Sequence, residues 1–492
     1  MKTKIVSAIF LGSILTTSCV DLNQRPNSFI TEEDYIGLPQ DIQQVHKAAT
    51  GLYNDLWGEN YGFNCRMQAI NCSADELVTS PKPNNRIQYL IDLNPSVGAN
   101  DKDISTAWKI LWKVVSSSNK IINGTPIPSD PAKANEYKAV VAEAHFMRAL
   151  SYFYLVRIFG DVPMVLTTAA APADAPRVGV GEIYNKVILP DLEYATEFLP
   201  AHSRSTNSST PSKWAAKAML ADVHMNMAGW PLKLGAVSYA KAAQITKEII
   251  QEGGLSLTPE YSDLFKEAKK AEANEHMFAI HHTSKYNASN YGKSYYPSDF
   301  APNAGWADYY ANPDFMNKYP ADDRKAHNFM TSWNTKAGIV QWQDSKDKLP
   351  AISKYYDYDE GAPGKSAQAN GLTVIYRYAD VLLMYAEAST RAEGAPNAEA
   401  YNALHLVQKR ADAPETPAGL NQDAFVKAVL AERGWEFFAE MKRWFDLVRT
   451  ETVAENKPDQ YANSLFKANN HYYMPIPSEQ VQMAGWANNS GY

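Results

Sequence analysis

The chain has 492 residues, 45% of them apolar and 21% charged, a composition typical of a globular protein with a sizeable core. Its 47 Lys and Arg against 54 Asp and Glu give a formal net charge of −7 without a basic block, which argues against nucleic-acid binding. The 29 Tyr and 11 Trp residues suit a core, an interface or a ligand platform alike.

The N-terminus has the pattern of an export signal. Lys2 and Lys4 form a basic start, residues 5–15 form an apolar run too short to span a membrane, and small residues 16–18 precede Cys19. Small residues before a cysteine are typical of a lipoprotein signal-peptidase site. The pattern predicts a lipid anchor on Cys19. An ordinary secretory signal with an incidental cysteine is the alternative.

Cleavage before Cys19 would remove residues 1–18 as a lipoprotein signal peptide. Residues 19–31 are mostly polar and are predicted to form a lipid-anchored tether. No later apolar run approaches the roughly 18 residues that a spanning helix needs. We therefore expect lipid to be the only membrane attachment.

Cys65 and Cys72 lie close together in a chain predicted to be exported. The oxidising compartment makes a disulfide between them one possibility, and two free, partly buried thiols are the other. No His or Cys cluster with metal-ligand spacing stands beside them, so no metal site is expected. No phosphate loop or dinucleotide turn is present either, so we expect no cofactor.

The strongest helical pattern covers residues 135–159. Val140 and Ala144 begin one apolar stripe, and a second stripe lies on another face. Two stripes indicate a helix that is packed on more than one side, as in stacked helix pairs. Gly160 and Pro163 predict its end.

Three more helices are predicted further along the chain. The first begins at Thr210 and Pro211, which have the pattern of an N-cap followed by a first-turn proline. The second begins at Ile375 and ends near Gly394, and the third is long and covers residues 423–448. Helix pairs separated by short breaks predict a mostly α fold with tetratricopeptide-like units.

An aromatic-rich segment interrupts this helical pattern at residues 286–342. It contains thirteen aromatic residues in 57 positions, with many Pro, Gly, Asn and Asp residues between them. Long irregular segments in compact proteins are uncommon and often functional. We expect residues 32–275 to form an N-terminal helical region, and residues 276–492 a C-terminal region in which this segment binds the ligand.

Four stretches, in family order, resemble the SusD/RagB family of surface glycan-binding lipoproteins. They are residues 142–165 (AEAHFMRALSYFYLVRIFGDVPMV), 377–388 (RYADVLLMYAEA), 432–449 (ERGWEFFAEMKRWFDLVR) and 473–492, with its Pro-Ile-Pro element and closing Gly-Tyr. Asp380, Gly434 and Ser490 depart from the family pattern. The matches span most of the chain after the signal.

The resemblance implies a SusD-like α-helical fold, with tetratricopeptide-like helix pairs packed against an irregular loop-rich lobe. It also implies a cell-surface lipoprotein of the outer membrane that captures oligosaccharide or polysaccharide. The ligand would then be delivered to a SusC-type TonB-dependent transporter. A peptide-uptake lid of the same family is one alternative, and a surface glycosidase is another.

Sugar rings stack on Trp and Tyr, and their hydroxyls need polar partners. In the aromatic segment we expect stacking from Trp306, beside Gly305, which would let the backbone turn. Its expected polar partners are Asn290, Asp299 and Asp308. The other predicted stacking residues are Tyr291, Tyr295, Tyr296 and Trp333. An early loop that contributes in the family points to Asp75 and Arg86.

A catalytic alternative rests on Glu432, Glu436 and Glu440, which share one helix face. Carboxylates on one helix cannot flank a glycosidic bond between them. The same segment predicts four helix-stabilising ion pairs at i,i+3 spacing. They are Arg433–Glu436, Glu440–Arg443, Arg443–Asp446 and Asp446–Arg449. A structural role is therefore favoured, and we expect no catalytic residues. His281 and His282, on a short predicted strand, are interpreted as incidental.

Overall fold

The computed structural model describes residues 41–57, 62–80, 86–94, 101–168, 175–205, 207–282, 291–301, 304–356 and 370–492. Helices form most of this part of the chain, which confirms the predicted fold class. Those before residue 253 are Ile42–Trp57 (α1), Gly62–Asn71 (α2), Arg86–Ile91 (α3), Lys102–Gly124 (α4), Pro131–Phe159 (α5), Val180–Ile183 (α6), Leu189–Phe198 (α7), Lys213–Ala228 (α8) and Ala236–Glu252 (α9).

The helices after residue 290 include several short ones. They are Tyr291–Ser294 (α10), Pro313–Lys318 (α11), Asp323–Asn328 (α12), Tyr378–Glu393 (α13), Ala398–Arg410 (α14), Gln422–Glu436 (α15), Arg443–Arg449 (α16), Val453–Asn456 (α17), Pro458–Ala462 (α18), Leu465–Asn469 (α19) and Ser478–Ala484 (α20). Within the described ranges, no helix is both long enough and apolar enough to cross a membrane.

The strands form antiparallel pairs. They are Leu77–Val78 (β1) with Tyr310–Ala311 (β5), Val162–Pro163 (β2) with Arg177–Val178 (β3), His276–His281 (β4) with Leu372–Arg377 (β10), Phe329–Met330 (β6) with Ala351–Ile352 (β9), and Ser332–Thr335 (β7) with Gly338–Gln341 (β8). Three of these pairs draw strands from residues 310–352 and shape a loop-rich lobe, defined here as residues 291–356.

The longer helices stack in sequence. Helix α1 packs on α4, α4 on α5, α5 on α7, α7 on α8, α8 on α9, α9 on α13, and α13 on both α14 and α15. Helices that are adjacent along the chain thus tend to be adjacent in space, as in tetratricopeptide-like pairs. The main core lies between these helices.

Helix α5 is packed on all sides. Every residue from Val140 to Phe159 is buried except His145 and Arg157, which confirms the prediction from its two apolar stripes. The helix begins earlier than its apolar pattern because the Asp130 carboxylate accepts from an N–H of its first turn. Its C-cap is Gly160, in the left-handed region at φ 74°, as predicted.

Two predicted helix starts are wrong by a few residues. Helix α8 begins at Lys213, because the hydroxyl of Ser212, rather than that of Thr210, caps it by accepting from the backbone N–H of Ala215. Ile375 lies in strand β10, and α13 begins three residues later. The predicted end of α13 at Gly394 is confirmed by the left-handed φ of 83° there.

The helix predicted over residues 423–448 is two helices, α15 and α16. The backbone between them takes left-handed φ values of 59° at Ala439 and 61° at Met441. Neither residue is a glycine, so tertiary contacts hold this break. The break places Glu440 between α15 and α16, outside both helices.

The loop-rich lobe has two aromatic clusters of its own. One contains Tyr295, Tyr309 and Phe315 with Phe438 of the break, and the other contains Tyr296, Phe300, Tyr310 and Trp333. Irregular backbone here is thus held by buried rings. The predicted lobe is present, with most of its described rings directed inward.

Candidate functional site

Trp306 lies on a segment whose backbone is held in place. Residues 304–309 cross the end of α10, where the backbone N–H of Trp306 donates to the carbonyl of Lys293 over 2.7 Å. The N–H of Gly305 donates to the carbonyl of Pro297 over 2.8 Å. The side chain of Trp306 is partly exposed. These hydrogen bonds fix the backbone that carries the ring.

Gly305 is needed for a close approach between two backbone segments. A Cβ at this position would lie 1.9 Å from the carbonyl oxygen of Tyr296, a distance that no side chain can tolerate. The prediction that Gly305 lets the backbone turn is wrong. The residue with a left-handed φ, at 57°, is Ala307. The glycine lets residues 305–307 sit against Tyr296 and so sets the position of Trp306.

Of the predicted polar partners of Trp306, Asn290 lies outside the described residues, whereas Asp299 and Asp308 lie in the loop-rich lobe. Asp308 is half-buried, and its carbonyl accepts from the hydroxyl of Thr79 over 2.8 Å. The carboxylate of Asp299 accepts from the indole N–H of Trp333 over 2.9 Å. The Asp299 carboxylate thus supports the packing of Trp333. Asp308, two positions after Trp306 in the chain, is the predicted partner that lies nearer to it in sequence.

Three of the predicted stacking rings are buried. Tyr295 and Tyr296 are each 2% exposed and Trp333 is 4% exposed. Tyr296 stacks on Phe300 with 4.9 Å between ring centroids, and Tyr295 stacks on Tyr355 at 5.7 Å. These rings form the buried clusters of the lobe and have no face open to a sugar. The stacking role therefore stays a proposal for Trp306.

The remaining predicted contacts are Asp75, Arg86 and Tyr291. Both carboxylate oxygens of Asp75 accept from Arg443, over 2.8 and 3.0 Å, so the carboxylate already has a bidentate partner in α16. The side chains of Arg86 and Tyr291 lie outside the described part of the chain, and their contact with a ligand stays a prediction.

The carboxylate of Glu436 is the centre of a buried charge network. It accepts from Arg324 over 2.7 Å, from Arg377 over 2.5 Å and from Arg410. Burial alone would raise the pKa of Glu436, but the positive charges of Arg410, Arg377 and Arg324 outweigh it and hold the pKa well below its usual value. Glu436 is therefore a permanently charged structural group.

Glu440 and Glu432 belong to the same network. Glu440 accepts from Arg377 over 2.9 Å and from Lys354 over 2.7 Å. Burial opposes these cations, but the pKa of Glu440 falls to about 2. Glu432 accepts from Arg324 over 2.6 Å. All three glutamates are at most 3% exposed, so none of them reaches a ligand on the surface.

Most of the predicted i,i+3 ion pairs are wrong. Only the pair of Asp446 with Arg449 forms, over 2.8 Å. Arg433 donates to Asp446 over 2.8 Å instead of to Glu436, and Arg443 donates to Asp75. Only the pair of Glu440 with Arg443 is lost at the helix break, because Glu440 lies between the two helices. The other two missing pairs each lie within one helix, and their members bind long-range partners instead.

The predicted incidental histidines have structural contacts. His281 lies within hydrogen-bond distance of the Ser208 hydroxyl, at 3.2 Å, and burial followed by the charge of Lys270 lowers its pKa to about 4. The His282 ring packs on Trp57 at 4.1 Å between centroids.

Cys72 is a free, buried thiol, and burial raises its pKa. Of the two alternatives for the cysteine pair, the structure thus has the free thiol at Cys72. The side chain of Cys65 lies outside the described residues. No group of His, Cys, Asp or Glu residues in the described ranges could hold a metal ion.

An aromatic cavity that the sequence analysis missed lies outside the loop-rich lobe. It has a volume of about 440 Å³. It is formed by helices α4 and α20 with neighbouring loops, and is lined by Trp108, Lys109, Trp112, Lys113, Pro163, Val165, Ala175, Gln480, Met483, Ala484 and Trp486. The sequence shows Trp108 and Trp112 one helical turn apart, but the third tryptophan of the cavity, Trp486, is more than 370 positions away, so spacing alone could not connect them.

Comparison with known families gives two matches. The model described as "SusD family" matches residues 330–492. The model described as "Starch-binding associating with outer membrane" matches residues 29–225. The two matches do not overlap, and both predicted regions of the chain are represented.

Similar proteins cover nearly the whole chain. A SusD-like protein, P2 of Formosa agariphila, is 26% identical over 531 residues and covers 100% of both chains. A solved SusD superfamily protein from Parabacteroides distasonis is 24% identical with a TM-score of 0.79, covering 92% of this chain and 98% of that chain.

Two similar solved structures are of proteins described with a glycan. One, solved with xylogluco-oligosaccharide, is 25% identical with a TM-score of 0.67, covering 85% of this chain and 84% of that chain. The other, a laminarin-binding SusD-like protein, is 21% identical with a TM-score of 0.75, covering 92% of this chain and 100% of that chain.

Proposed function

We propose that the chain is a member of the SusD family and a non-enzymatic glycan-binding protein whose ligand site includes Trp306. The observation that carries the proposal is the partly exposed Trp306 ring on a fixed backbone, with Asp308 two residues away. A flat aromatic face suits a sugar ring, and a carboxylate on the same segment suits its hydroxyls. The similar structures named for laminarin and xylogluco-oligosaccharide support this ligand class.

Binding without hydrolysis is part of the proposal. Glu432, Glu436 and Glu440 are engaged by buried arginine and lysine side chains. A glycosidase needs two carboxyl groups that flank the scissile bond, about 5–10 Å apart. The burial of these glutamates removes the pair that first suggested catalysis, and supports a binding role.

The cellular setting is also proposed. The family description "Starch-binding associating with outer membrane" supports association with that membrane. We propose that lipid on Cys19 anchors the protein at the cell surface. From there it would deliver oligosaccharide to a SusC-type TonB-dependent transporter, the partner that the family resemblance implies. Arg86 and Tyr291 remain proposed contacts to the glycan.

Trp306→Ala is expected to weaken glycan affinity about tenfold. A stacked ring contributes about 0.5–1.5 kcal/mol beyond its area, and about 1.4 kcal/mol corresponds to a factor of ten in affinity. The measurement is calorimetric titration of wild type and variant with a glycan that binds wild type on an array. Because the ring is only partly buried, the melting temperature should change little.

Leu406→Ala is the control, since Leu406 is 40% exposed on α14, outside the lobe. It should leave the affinity unchanged. A Trp306→Ala variant with wild-type affinity and a lowered melting temperature would assign this ring to the core and move the site elsewhere.

A further inference from the structure

The cavity between α4 and α20 has three indole rings as its walls. Trp108 is 4% exposed and forms the base. Its ring centroid lies 5.6 Å from that of Trp112, at an interplanar angle of 53°, and 6.4 Å from that of Trp486, at 66°. Trp112 and Trp486 are partly exposed. The three rings thus form an open aromatic cup, and its volume of about 440 Å³ is within the range of small-molecule sites.

The rim of this cup carries polar groups. Lys109 and Lys113 lie one helical turn apart, and their side chains are 60% and 58% exposed. Their ammonium groups lie 2.9 Å from the carboxylates of Glu479 and Asp55, respectively. Gln480 adds an amide. Flexible donors and acceptors around an apolar base are what a ring of hydroxyl groups requires.

One buried donor in the wall also lacks a partner. The indole N–H of Trp112 has no hydrogen-bond acceptor among the residues that the structure describes. A buried N–H without an acceptor costs free energy, but this nitrogen is closed to solvent, so a ligand in the cavity would contact the ring of Trp112 and not its N–H. By contrast, the indole N–H of Trp486 donates to the carbonyl of Ala175 over 3.0 Å, which fixes that ring.

The charges on the rim select among ligand classes. Each lysine is paired with one acidic residue, so the rim has no excess positive charge for a phosphate or sulfate group. Aromatic walls with a charge-balanced polar rim favour a neutral ligand that has both flat apolar faces and hydroxyls. A neutral pyranose has both properties.

We propose that this cavity is a second glycan-binding site, which takes a short stretch of a neutral glycan against Trp112 and Trp486. The inference rests on the proposed function and deepens it. None of the residues that line the cavity belongs to the loop-rich lobe, so the site is separate from Trp306. Two sites on one chain would let a long polysaccharide bind with higher avidity than a short oligosaccharide.

The test is a titration of the full chain in detergent with starch, laminarin and xyloglucan, each as polysaccharide and as a hexasaccharide. For the glycan that binds, we expect two hexasaccharides per wild-type chain. Trp486→Ala should weaken one of the two sites about tenfold, Trp306→Ala should weaken the other, and the double variant should weaken both. For the polysaccharide, Trp486→Ala should weaken affinity about tenfold. Trp486→Phe, which keeps an aromatic face, should restore most of it.

Val237→Ala is the matched control, because Val237 is 71% exposed and does not line the cavity. Met483→Trp, at a lining residue that is 61% exposed, fills the cavity without removing a core contact. Met483→Trp should therefore weaken polysaccharide affinity as Trp486→Ala does, even if Trp486→Ala folds poorly.

The possible results separate the two proposals. Wild-type stoichiometry and affinity in both Trp486→Ala and Met483→Trp would overturn the second site and leave the proposed function intact. A wild-type chain that binds none of the three glycans would overturn the proposed function and this inference together. If Trp486→Ala weakened glycan affinity and Trp306→Ala did not, the result would support the cavity as a binding site and overturn the Trp306 site.

Discussion

Glu436→Gln is expected to lower the free energy of unfolding by about 3–5 kcal/mol, the typical cost of removing one partner from a buried ion pair. Glu436 is fully buried and accepts from Arg324, Arg377 and Arg410. Glutamine has nearly the same shape but no charge. The substitution therefore leaves three guanidinium groups without their shared anion while creating almost no cavity.

The expected loss is large because this network joins distant parts of the fold. Arg324 comes from α12 in the loop-rich lobe, Arg377 from the junction of β10 and α13, and Arg410 from the end of α14. Glu436 is the last residue of α15. We expect the lobe to lose its attachment to the helices when the anion is removed, and glycan binding to fall as a consequence of that loss.

Urea unfolding followed by circular dichroism measures this effect, with Glu182→Gln as the matched control. Glu182 makes an exposed i,i+4 pair with Lys186, and the two side chains are 46% and 61% exposed. Such pairs contribute about 0.3–0.5 kcal/mol, so the control should resemble wild type. Equal, small losses in both variants would mean that the buried network does not hold the lobe.

Cys19→Ala is expected to move the protein from the membrane fraction to the soluble fraction in its native host. The prediction rests on the basic start, the short apolar run and the small residues before Cys19. Each buried CH₂ of an acyl chain contributes about 0.8 kcal/mol to membrane binding, so losing all acyl chains removes the anchor. The described residues contain no helix that could cross the membrane in its place.

Fractionation and metabolic palmitate labelling measure this outcome, and Cys65→Ala is the matched control. The control should stay labelled and membrane-bound, because Cys65 lies outside the export signal. An unlabelled but still membrane-bound Cys19→Ala chain would point to attachment through a partner protein. Unchanged labelling of that variant would contradict the anchor itself.

The helical part of the fold could be predicted where a local signal is strong. The apolar stripes predict helix α5. The glycines at 160 and 394 predict the ends of two helices, because glycine readily takes the left-handed φ found there. Boundaries were less predictable. The capping hydroxyl of Ser212 competes with a good candidate at Thr210, and the pairing of β10 with β4 takes Ile375 out of its predicted helix.

The charge network and the direction of the rings could not be predicted from local spacing. Glu436 and Arg324 are 112 positions apart, and Arg443 and Asp75 are 368 apart, so no periodicity connects them. Aromatic composition predicted the loop-rich lobe but could not separate a buried ring such as Tyr296 from a partly exposed one such as Trp306. That distinction depends on which rings form the core of a lobe with little regular structure.

Glycan binding without hydrolysis can be tested by exposing the full chain to glycan and peptide arrays and analysing the products of every glycan that binds. We expect binding to at least one oligosaccharide or polysaccharide, no binding to peptides, and no release of shorter sugars on incubation. Peptide binding without glycan binding would favour a peptide-uptake role. Reproducible release of oligosaccharides from a bound glycan would contradict the non-enzymatic function.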